Sequence, residues 1–329
     1  MESWSPLALR VVVTGAAGFV GSHLCDRLVA DGHSVLGLDN LSTGSLRNLR
    51  SLREHARFSF LTHDVCTEFD CAGRVDVIYN LACPASPKDY LEGPVRTLLA
   101  SALGTRNMLD LALRKAAVFL QASTSETYGD AHVHPQPESY WGNVNPVGPR
   151  SVYDEGKRFA EALTMAYNRR HGVRTRIARL FNVYGPRMRR TDGRVLPAFL
   201  DQALRGVPLT VFGDGSQTRS FCFVADIVDG MVRLAASGVC DPVNLGADEE
   251  ITVLELASSV QEAVGGSSGI EYHDLPQDDP RRRCPDISRA KSVLAWEPNV
   301  GMAEGIRAML ASYRAGGAST SGEEAAGDG

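Results

Sequence analysis

The fold is decided by residues 11–21, which read VVVTGAAGFVG. The β-branched run at Val11–Thr14 predicts a buried strand, and residues from about 18 to 31 predict an amphipathic helix. Glycines spaced GxxGxxG between them allow a tight turn and a close approach of the backbone to a diphosphate, whose charge the helix N-terminus favours. A glycine pattern alone is weak evidence for nucleotide binding. Because this one lies between a predicted strand and a predicted helix, it predicts a dinucleotide-binding loop. Its expected contacts are Gly15, Gly18, Phe19, Val20 and Gly21.

Short apolar runs alternate with helix-length amphipathic segments along the first half of the chain. This alternation predicts an α/β fold with a doubly wound parallel sheet of the Rossmann type, whose first five strands are covered on both faces. The predicted helices span about 18–31, 94–115 and 151–171. The predicted strands are Val11–Thr14, Ser34–Leu38, Phe58–Leu61, Val75–Leu81, Ala117–Gln121 and Thr175–Leu180.

Glycine and proline become frequent after about residue 181, which predicts a smaller, loop-rich domain. Helices are expected at about 224–237, 252–264 and 301–314. We therefore expect a loose N-terminus at 1–9 and a disordered tail at 315–329, which is small and polar. Between them we expect a dinucleotide-binding domain over 10–181, to which about 222–247 return, and a discontinuous substrate domain over 182–314.

Composition excludes several classes of protein. The chain has 329 residues, 43% of them hydrophobic and 22% charged, which argues against wholesale disorder. Its net charge of −5 argues against bulk nucleic-acid binding. No apolar run approaches a membrane span and no secretory signal is recognised, so a cytoplasmic protein is expected. The seven scattered cysteines predict reduced thiols, and no metal site is expected.

An acidic residue follows the second predicted strand. The Asp39 carboxylate can accept hydrogen bonds from the adenosine ribose and would repel a 2′-phosphate, which favours NAD over NADP. Asp64, after the third predicted strand, fits an adenine contact. Val65 follows Asp64 directly and is expected beside it.

Polar residues follow the fifth predicted strand at 122–129, which read ASTSETYG. Ligands of open α/β sheets bind at the carboxyl ends of the strands, so chemistry is expected here. Tyr153 and Lys157 are spaced i, i+4 on a predicted helix and share one face. A nearby ammonium lowers the pKa of a phenol, and such a tyrosine can act as a general base. By itself the pair also fits an ordinary helix surface.

These motifs together resemble the extended short-chain dehydrogenase/reductases that act on nucleotide sugars. Within that group the chain resembles the UDP-glucuronate decarboxylases, also called UDP-xylose synthases. The stretches that carry the narrower resemblance are PASP at 84–87, HPQPESYWGNVNPVGPRSVYDEGKR at 134–158, PRMRRTDGRV at 186–195 and DDPRRRCPD at 278–286. Together with the motifs above, the resemblance covers about residues 10–314.

The resemblance implies a reaction and a set of site residues. UDP-glucuronate would be oxidised at C4 by bound NAD, lose CO2 as a β-keto acid, and be reduced to UDP-xylose. The implied catalytic residues are Thr124, Glu126, Tyr153, Lys157 and Arg283. Further cofactor contacts, implied only by the resemblance, are Asn40, Ser42, Thr43, Gly44, Leu81, Cys83, Ala122, Val183 and Arg189. The implied substrate contacts are Pro84, Asn107, Ser125, Tyr167, Asn182, Arg194, Val195, Phe212, Gln217, Arg219 and Arg281.

The chain departs from the family pattern in places, and alternatives stay open. Leu99-Ala100-Ser101 replaces a common Lys-Thr-Asn, Cys284 replaces a lysine, and Arg189 replaces a frequent histidine. The alternatives are a UDP-sugar 4-epimerase, a decarboxylase that releases the 4-keto pentose with NADH, and a non-catalytic NAD-binding regulator. The Tyr153–Lys157 pair counts against the regulator. The resemblance also implies a homodimer formed through the helices at about 94–115 and 151–171.

Overall fold

A computed structural model describes residues 8–275 and 282–319. Its strands are β1 Arg10–Thr14, β2 Ser34–Asp39, β3 Phe58–Thr62, β4 Val77–Asn80, β5 Val118–Thr124, β6 Arg174–Leu180, β7 Val183–Tyr184, β8 Leu209–Phe212, β9 Thr218–Ser220, β10 Cys222–Phe223, β11 Val243–Leu245, β12 Glu250–Thr252, β13 Ile270–His273 and β14 Arg282–Arg283. Its helices are α1 Phe19–Ala30, α2 Pro87–Glu92, α3 Pro94–Leu99, α4 Thr105–Lys115, α5 Ser151–His171, α6 Val195–Arg205, α7 Val224–Ala236, α8 Val253–Val264, α9 Ser288–Leu294 and α10 Met302–Ser319.

The main sheet is parallel, with strand order β3-β2-β1-β4-β5-β6-β11. Val11 and Val13 belong to the core that includes α1 and α7, whereas Val12 belongs to the core that includes α4. This alternation places helices on both faces, as predicted for a doubly wound sheet. The strand order reverses between β1 and β4, which is where such sheets bind their ligands.

The third strand differs from its prediction. β3 was expected to be covered on both faces, but it is the edge strand and pairs only with β2. None of its residues is buried, and Leu61 is 46% exposed. An edge strand lacks a neighbour on one side, so an apolar run there does not imply full burial.

The long helix expected at 94–115 is broken in the structure. α3 and α4 are joined by a π-helical turn at Ala100–Gly104, a local widening that is frequent at functional sites. A Cβ at Gly104 would lie 2.7 Å from Cγ2 of Val65, so only glycine lets the turn approach that residue so closely. The turn therefore positions Val65.

A smaller lobe is built from β8, β13, α6, α8 and α10. Its core includes Phe199, Leu209, Leu256 and Ile306. A three-stranded sheet, β12-β9-β14, carries Arg219 and Arg283. β11 pairs with β6 in the main sheet, so the chain crosses between the two regions. The residue boundaries of the two predicted domains stay predictions.

The predicted chain ends need correction where the structure describes them. Leu9 lies in the segment expected to be loose, yet its carbonyl accepts from the amide of Ser34 at 2.8 Å. The expected tail was placed from residue 315, but α10 continues to Ser319. Gly316 and Gly317 are poor helix formers, so the local sequence predicts an earlier end and does not explain the extension. The rest of both ends, 1–7 and 320–329, lies outside the described residues.

Candidate active site

A cavity of about 850 Å³ lies at the carboxyl ends of the main-sheet strands and extends to the smaller lobe. Most of the predicted site residues line it, including the five proposed as catalytic. The exceptions are Gly44, Asn107 and Tyr167, which do not line it, and Arg281, which lies outside the described residues.

The glycine loop is closely packed. Gly15 has φ +70°, and a Cβ there would lie 3.0 Å from the Ala82 amide nitrogen. A Cβ on Gly21 would come within 2.0 Å of the Gly15 carbonyl oxygen, so α1 can approach the loop only with glycine. α1 begins after Gly18 with no side-chain cap, which leaves its first amides facing the cavity end.

Asp39 supports this loop from the end of β2. Its Oδ2 accepts from the Ala17 amide at 3.0 Å, and its Oδ1 accepts from the Leu41 amide at 2.8 Å. Burial raises the pKa of Asp39, although these hydrogen bonds oppose the shift. A Cβ on Gly44 would lie 2.9 Å from Oδ2 of Asp39, so Gly44 shapes this corner without lining the cavity.

Tyr153, Lys157 and Thr124 meet where β5 ends beside α5. Lys157 Nζ donates to the Ala122 carbonyl at 2.9 Å and lies 5.7 Å from the Tyr153 ring centroid. The expectation that Lys157 lowers the pKa of Tyr153 is not met. Burial raises the pKa of Tyr153, and a hydrogen bond with Thr124 opposes that shift. The Tyr153 ring also stacks on Tyr90, with centroids 5.2 Å apart and planes 6° apart.

Glu126 forms the centre of a buried charge cluster. Arg283 donates to both of its carboxylate oxygens, Nη1 to Oε1 at 2.5 Å and Nη2 to Oε2 at 2.7 Å. Arg150 donates to Oε2 at 2.9 Å. Burial opposes ionisation of Glu126, but the two guanidiniums outweigh it and lower its pKa to about 2. The cluster therefore combines two cations and one anion beside the Thr124–Tyr153 pair.

Several predicted substrate contacts are held by neighbouring side chains. Asp192 accepts from Nη2 of Arg194 at 2.9 Å, which fixes that guanidinium at the cavity wall. Arg189 was expected to contact the cofactor; it lines the cavity and also forms an ion pair with Asp89. The remaining predicted residues that line the cavity on this side are Pro84, Ser125, Asn182, Val195, Phe212, Gln217 and Arg219.

Two expected substrate contacts are placed elsewhere. Asn107 is buried, and its side chain donates to the carbonyls of Val65 and Thr67 at 2.8 and 3.0 Å. It supports the cavity wall from behind. The Tyr167 hydroxyl donates to Asp110 at 2.6 Å, joining α5 to α4. Both residues were expected to contact the substrate directly. In the structure their side chains bind partners away from the cavity, because tertiary packing directs them there.

Sequence reasoning missed Arg150, Tyr90 and Asp192. Arg150 lies inside the quoted stretch 134–158, immediately before α5, which was the available signal. Asp192 lies inside the quoted stretch 186–195, two residues before its partner Arg194, so the same signal was available for it. No local pattern marks Tyr90, because the fold brings its partner Tyr153 to it.

The sequence departures lie near the same cavity. Ala100 lines it, whereas Leu99 is exposed at the surface. Ser101 Oγ lies 3.4 Å from Cys83 Sγ, and Cys284 is buried. Arg189 also lines the cavity, so three of the replaced positions, Ala100, Ser101 and Arg189, contact the cavity or its wall.

The histidine pair His132 and His134 has local partners. His134 Nε2 lies 2.7 Å from Glu250, and His132 Nε2 lies 2.7 Å from the Asn143 amide nitrogen. Over residues 8–275 and 282–319, no cluster of three or more potential metal ligands is found. Within the same ranges, no helix combines the length and apolar character that a bilayer crossing requires.

Comparison with known proteins places the chain in a family. The profile described as "NAD dependent epimerase/dehydratase family" matches residues 11–246. The chain belongs to this family. Within it, the chain is 53% identical to UDP-glucuronic acid decarboxylase 2 of Arabidopsis thaliana over 306 residues, covering 93% of this chain and 68% of the relative. This similarity confirms the resemblance to the UDP-glucuronate decarboxylases that the sequence motifs indicated.

Solved structures of the epimerase/dehydratase family share the fold. UDP-glucose 4-epimerase of Thermotoga maritima, solved with UDP-glucose, has a TM-score of 0.86 and 28% identity, covering 94% of this chain and 99% of that one. UDP-glucuronic acid 4-epimerase of Bacillus cereus, solved with UDP-glucuronic acid and NAD, has a TM-score of 0.82 and 26% identity, covering 93% and 99%. These likenesses confirm the predicted fold class.

Proposed function

We propose that this chain decarboxylates UDP-glucuronate to UDP-xylose with a bound NAD that is recycled in each turnover. The observation that carries the proposal is the cluster of Arg283, Arg150 and Glu126 beside Tyr153. A 4-epimerase needs the tyrosine but has no need to break a bond to a carboxylate. Two guanidiniums at the same end of the cavity match a sugar that carries a carboxyl group at C6, and the 53% identity to a UDP-glucuronic acid decarboxylase favours decarboxylation of that sugar over its 4-epimerisation.

The cavity residues fit a dinucleotide. Gly15 and Gly21 let the loop pack closely on Ala82 and on the start of α1, which brings the N-terminus of that helix to the cavity, where it suits a diphosphate. The carboxylate of Asp39 at the end of β2 suits unphosphorylated ribose hydroxyls, and Lys157 lies where the second ribose is expected. We therefore propose NAD rather than NADP. When bound, NAD+ supplies a hydride acceptor for C4 of the sugar and returns the hydride to the same carbon.

Tyr153 is proposed to move the proton of the C4 hydroxyl. Burial disfavours the phenolate of Tyr153, so we propose that the Lys157 ammonium, 5.7 Å from the ring centroid, and the positive charge that NAD+ would supply favour that form during turnover. The phenolate accepts the proton when C4 is oxidised, which leaves a ketone β to the C6 carboxylate. The C5–C6 bond then breaks, CO2 leaves, and the bonding electrons pass into the C4 carbonyl as an enolate. Thr124 and the protonated Tyr153 can donate hydrogen bonds to that oxygen, which stabilises the developing charge.

The charge cluster is proposed to control the carboxylate. Arg283 and Arg150 attract it, whereas the ionised Glu126 repels it and shares both guanidiniums. Because CO2 is neutral, attraction that is too strong would stabilise the starting carboxylate against reaction. Glu126 thus limits that attraction. After CO2 has left, the cluster can orient a solvent water that delivers to C5 the one proton that the net reaction takes up from solvent.

Proton NMR of purified protein with UDP-glucuronate and catalytic NAD+ tests this proposal. UDP-xylose with two C5 protons and no stoichiometric NADH is the expected result. UDP-galacturonate would instead indicate a 4-epimerase, and a 4-keto pentose with absorbance at 340 nm would indicate release of the intermediate. Unchanged UDP-glucuronate, with NAD bound, would favour a changed substrate or a non-catalytic regulator.

We also propose that the protein is a cytoplasmic homodimer. Val95 and Leu99 on α3 and Phe159 on α5 are exposed apolar side chains on helices that pack together. Exposed apolar surface of this kind is typical of an interface. All seven cysteines are unpaired, which fits a reducing compartment.

A further inference from the structure

Gln136 lies beside the strand that carries Arg283, although it is far from it in sequence. It is 1% exposed and forms a parallel bridge with Pro285. Its amide donates to the Cys284 carbonyl at 2.8 Å, and its carbonyl accepts from the Asp286 amide at 3.0 Å. The main chain of Gln136 therefore holds the segment that directly follows Arg283.

The side chain of Gln136 adds a hydrogen bond that no main-chain group supplies. Its Oε1 accepts from the Cys284 amide at 2.9 Å, and its Nε2 donates to the Val133 carbonyl at 2.9 Å. Both ends of the amide are thus used in a buried setting, where an unpaired group is costly. The Cys284 amide belongs to the peptide bond that joins it to Arg283, so this contact acts on the Arg283 backbone.

Hydrogen bonds also link Gln136, through Asn244, to the turn that carries Glu126. The Tyr128 hydroxyl donates to Oδ1 of Asn244 at 2.8 Å, and Asn244 Nδ2 donates to the Gln136 carbonyl at 2.9 Å. Tyr128 and Glu126 share the short 3-10 turn Ser125–Tyr128. Gln136 therefore connects the backbone of Arg283 with the turn of its carboxylate partner.

The opposite side of Arg283 is held by the strand β9. Arg283 pairs with Arg219 in parallel register, and both side chains line the cavity. The two-residue strand β14 is thus placed between β9 and Gln136. A strand this short has few hydrogen bonds of its own, so its orientation depends on these neighbours.

We propose that Gln136 is a positioning residue, which orients Arg283 toward Glu126 by fixing the Cys284 amide. The inference rests on the proposed function for its kinetic test but not for its structural test. Gln136→Met keeps the volume and leaves the Cys284 amide unpaired. Gln136→Glu keeps an acceptor for that amide and serves as the conservative variant.

A double-mutant cycle with Arg283→Lys tests this role. Gln136→Met is expected to lower kcat about tenfold or more with little change in KM, since small misplacements of a positioned group have such effects. In the Arg283→Lys background the same change should cost less than about twofold, because the partner it acts through is already altered. Gln136→Glu should recover part of the lost kcat.

Controls separate positioning from general destabilisation. Asn168→Leu removes a side-chain hydrogen bond to the Val173 carbonyl, at the far end of α5, and should leave kcat unchanged. Two results would overturn the proposal. One is that Gln136→Met lowers kcat by the same factor in the Arg283→Lys background as in the wild type; the other is that Asn168→Leu lowers kcat as much as Gln136→Met does.

A second cycle, measured by chemical denaturation, needs no turnover. Coupling between Gln136→Met and Arg283→Lys in the free energy of unfolding is expected even if UDP-glucuronate is not a substrate. Inactive wild-type protein would overturn the proposed function alone, whereas additive unfolding energies would overturn the role of Gln136.

Discussion

Arg283 donates to both carboxylate oxygens of Glu126 through its two terminal guanidinium nitrogens, with Nη–Oε distances of 2.5 and 2.7 Å, although the two residues are 157 positions apart. Arg150 binds the same carboxylate from the N-terminal side of α5. Since these cations lower the pKa of Glu126 to about 2, its carboxylate is ionised at neutral pH. The site thus holds a fixed anion where an anionic substrate is expected.

Glu126→Gln tests this anion. With the charge removed, Arg283 and Arg150 should hold the substrate carboxylate more tightly in the ground state. We expect both kcat and KM to fall, kcat by roughly a hundredfold, because the interaction is lost when CO2 forms. Steady-state kinetics with UDP-glucuronate measures both constants. An increase in KM would contradict the repulsive role of Glu126.

Asp154 predicts a pH dependence of stability. Burial and then the charge of Glu126 raise its pKa to about 7, above the usual value of 3.8. The folded state therefore holds a proton that the unfolded state releases, so this stability is lost as pH rises from about 4 to above 7. Asp154→Asn mimics the protonated form. Its melting temperature should exceed that of wild type by a few degrees at pH 8 and match it at pH 3.5; an equal difference at both pH values would contradict the shift.

The sequence predicted well those features of the fold that depend on residues close together in the chain, and predicted poorly those that depend on residues far apart in it. The glycine loop and the strands depend on local patterns, so their positions were predicted closely. The exposure of β3 and the π-helical turn beside Val65 depend on neighbours that no local pattern reveals.

The site follows the same rule. Glu126 and Arg283 were each named from the family resemblance, but their direct pairing requires the fold. Tyr153 shows the limit most clearly: its spacing from Lys157 predicted a lowered pKa, whereas burial, a property of tertiary packing, dominates.

Asp39 predicts the choice of dinucleotide. Asp39→Asn keeps an acceptor for the Ala17 or Leu41 amide and removes the negative charge. The ratio of the dissociation constants for NADP and NAD should fall by at least about tenfold, because juxtaposed like charges cost several kcal/mol. Each reduced dinucleotide is titrated with the protein, and the change in nicotinamide fluorescence gives the two dissociation constants and hence their ratio. An unchanged preference for NAD would show that other groups select it.

Phe159 predicts the assembly state. It is 50% exposed on α5, where the homodimer is expected. Phe159→Glu should yield a monomer by light scattering at micromolar concentration, since a charge in an apolar interface is left unpaired. Val293→Glu, at a 45% exposed position on α9, is the matched control and should remain dimeric. A wild-type monomer would rule out the expected dimer.

Tyr153 and Tyr90 form a matched pair, because their rings are stacked and only one hydroxyl contacts Thr124. Tyr153→Phe should lower kcat by about 10²–10⁴-fold, the usual contribution of a general acid–base group. Tyr90→Phe keeps the stacked ring and removes a hydroxyl that has no hydrogen-bond partner among the described residues, so kcat should stay within about twofold. Binding of UDP-glucuronate, measured by calorimetry, should be retained in both variants. Equal losses of kcat in the two would mean that the stacked rings matter only as packing, and that proton transfer at C4 needs another group.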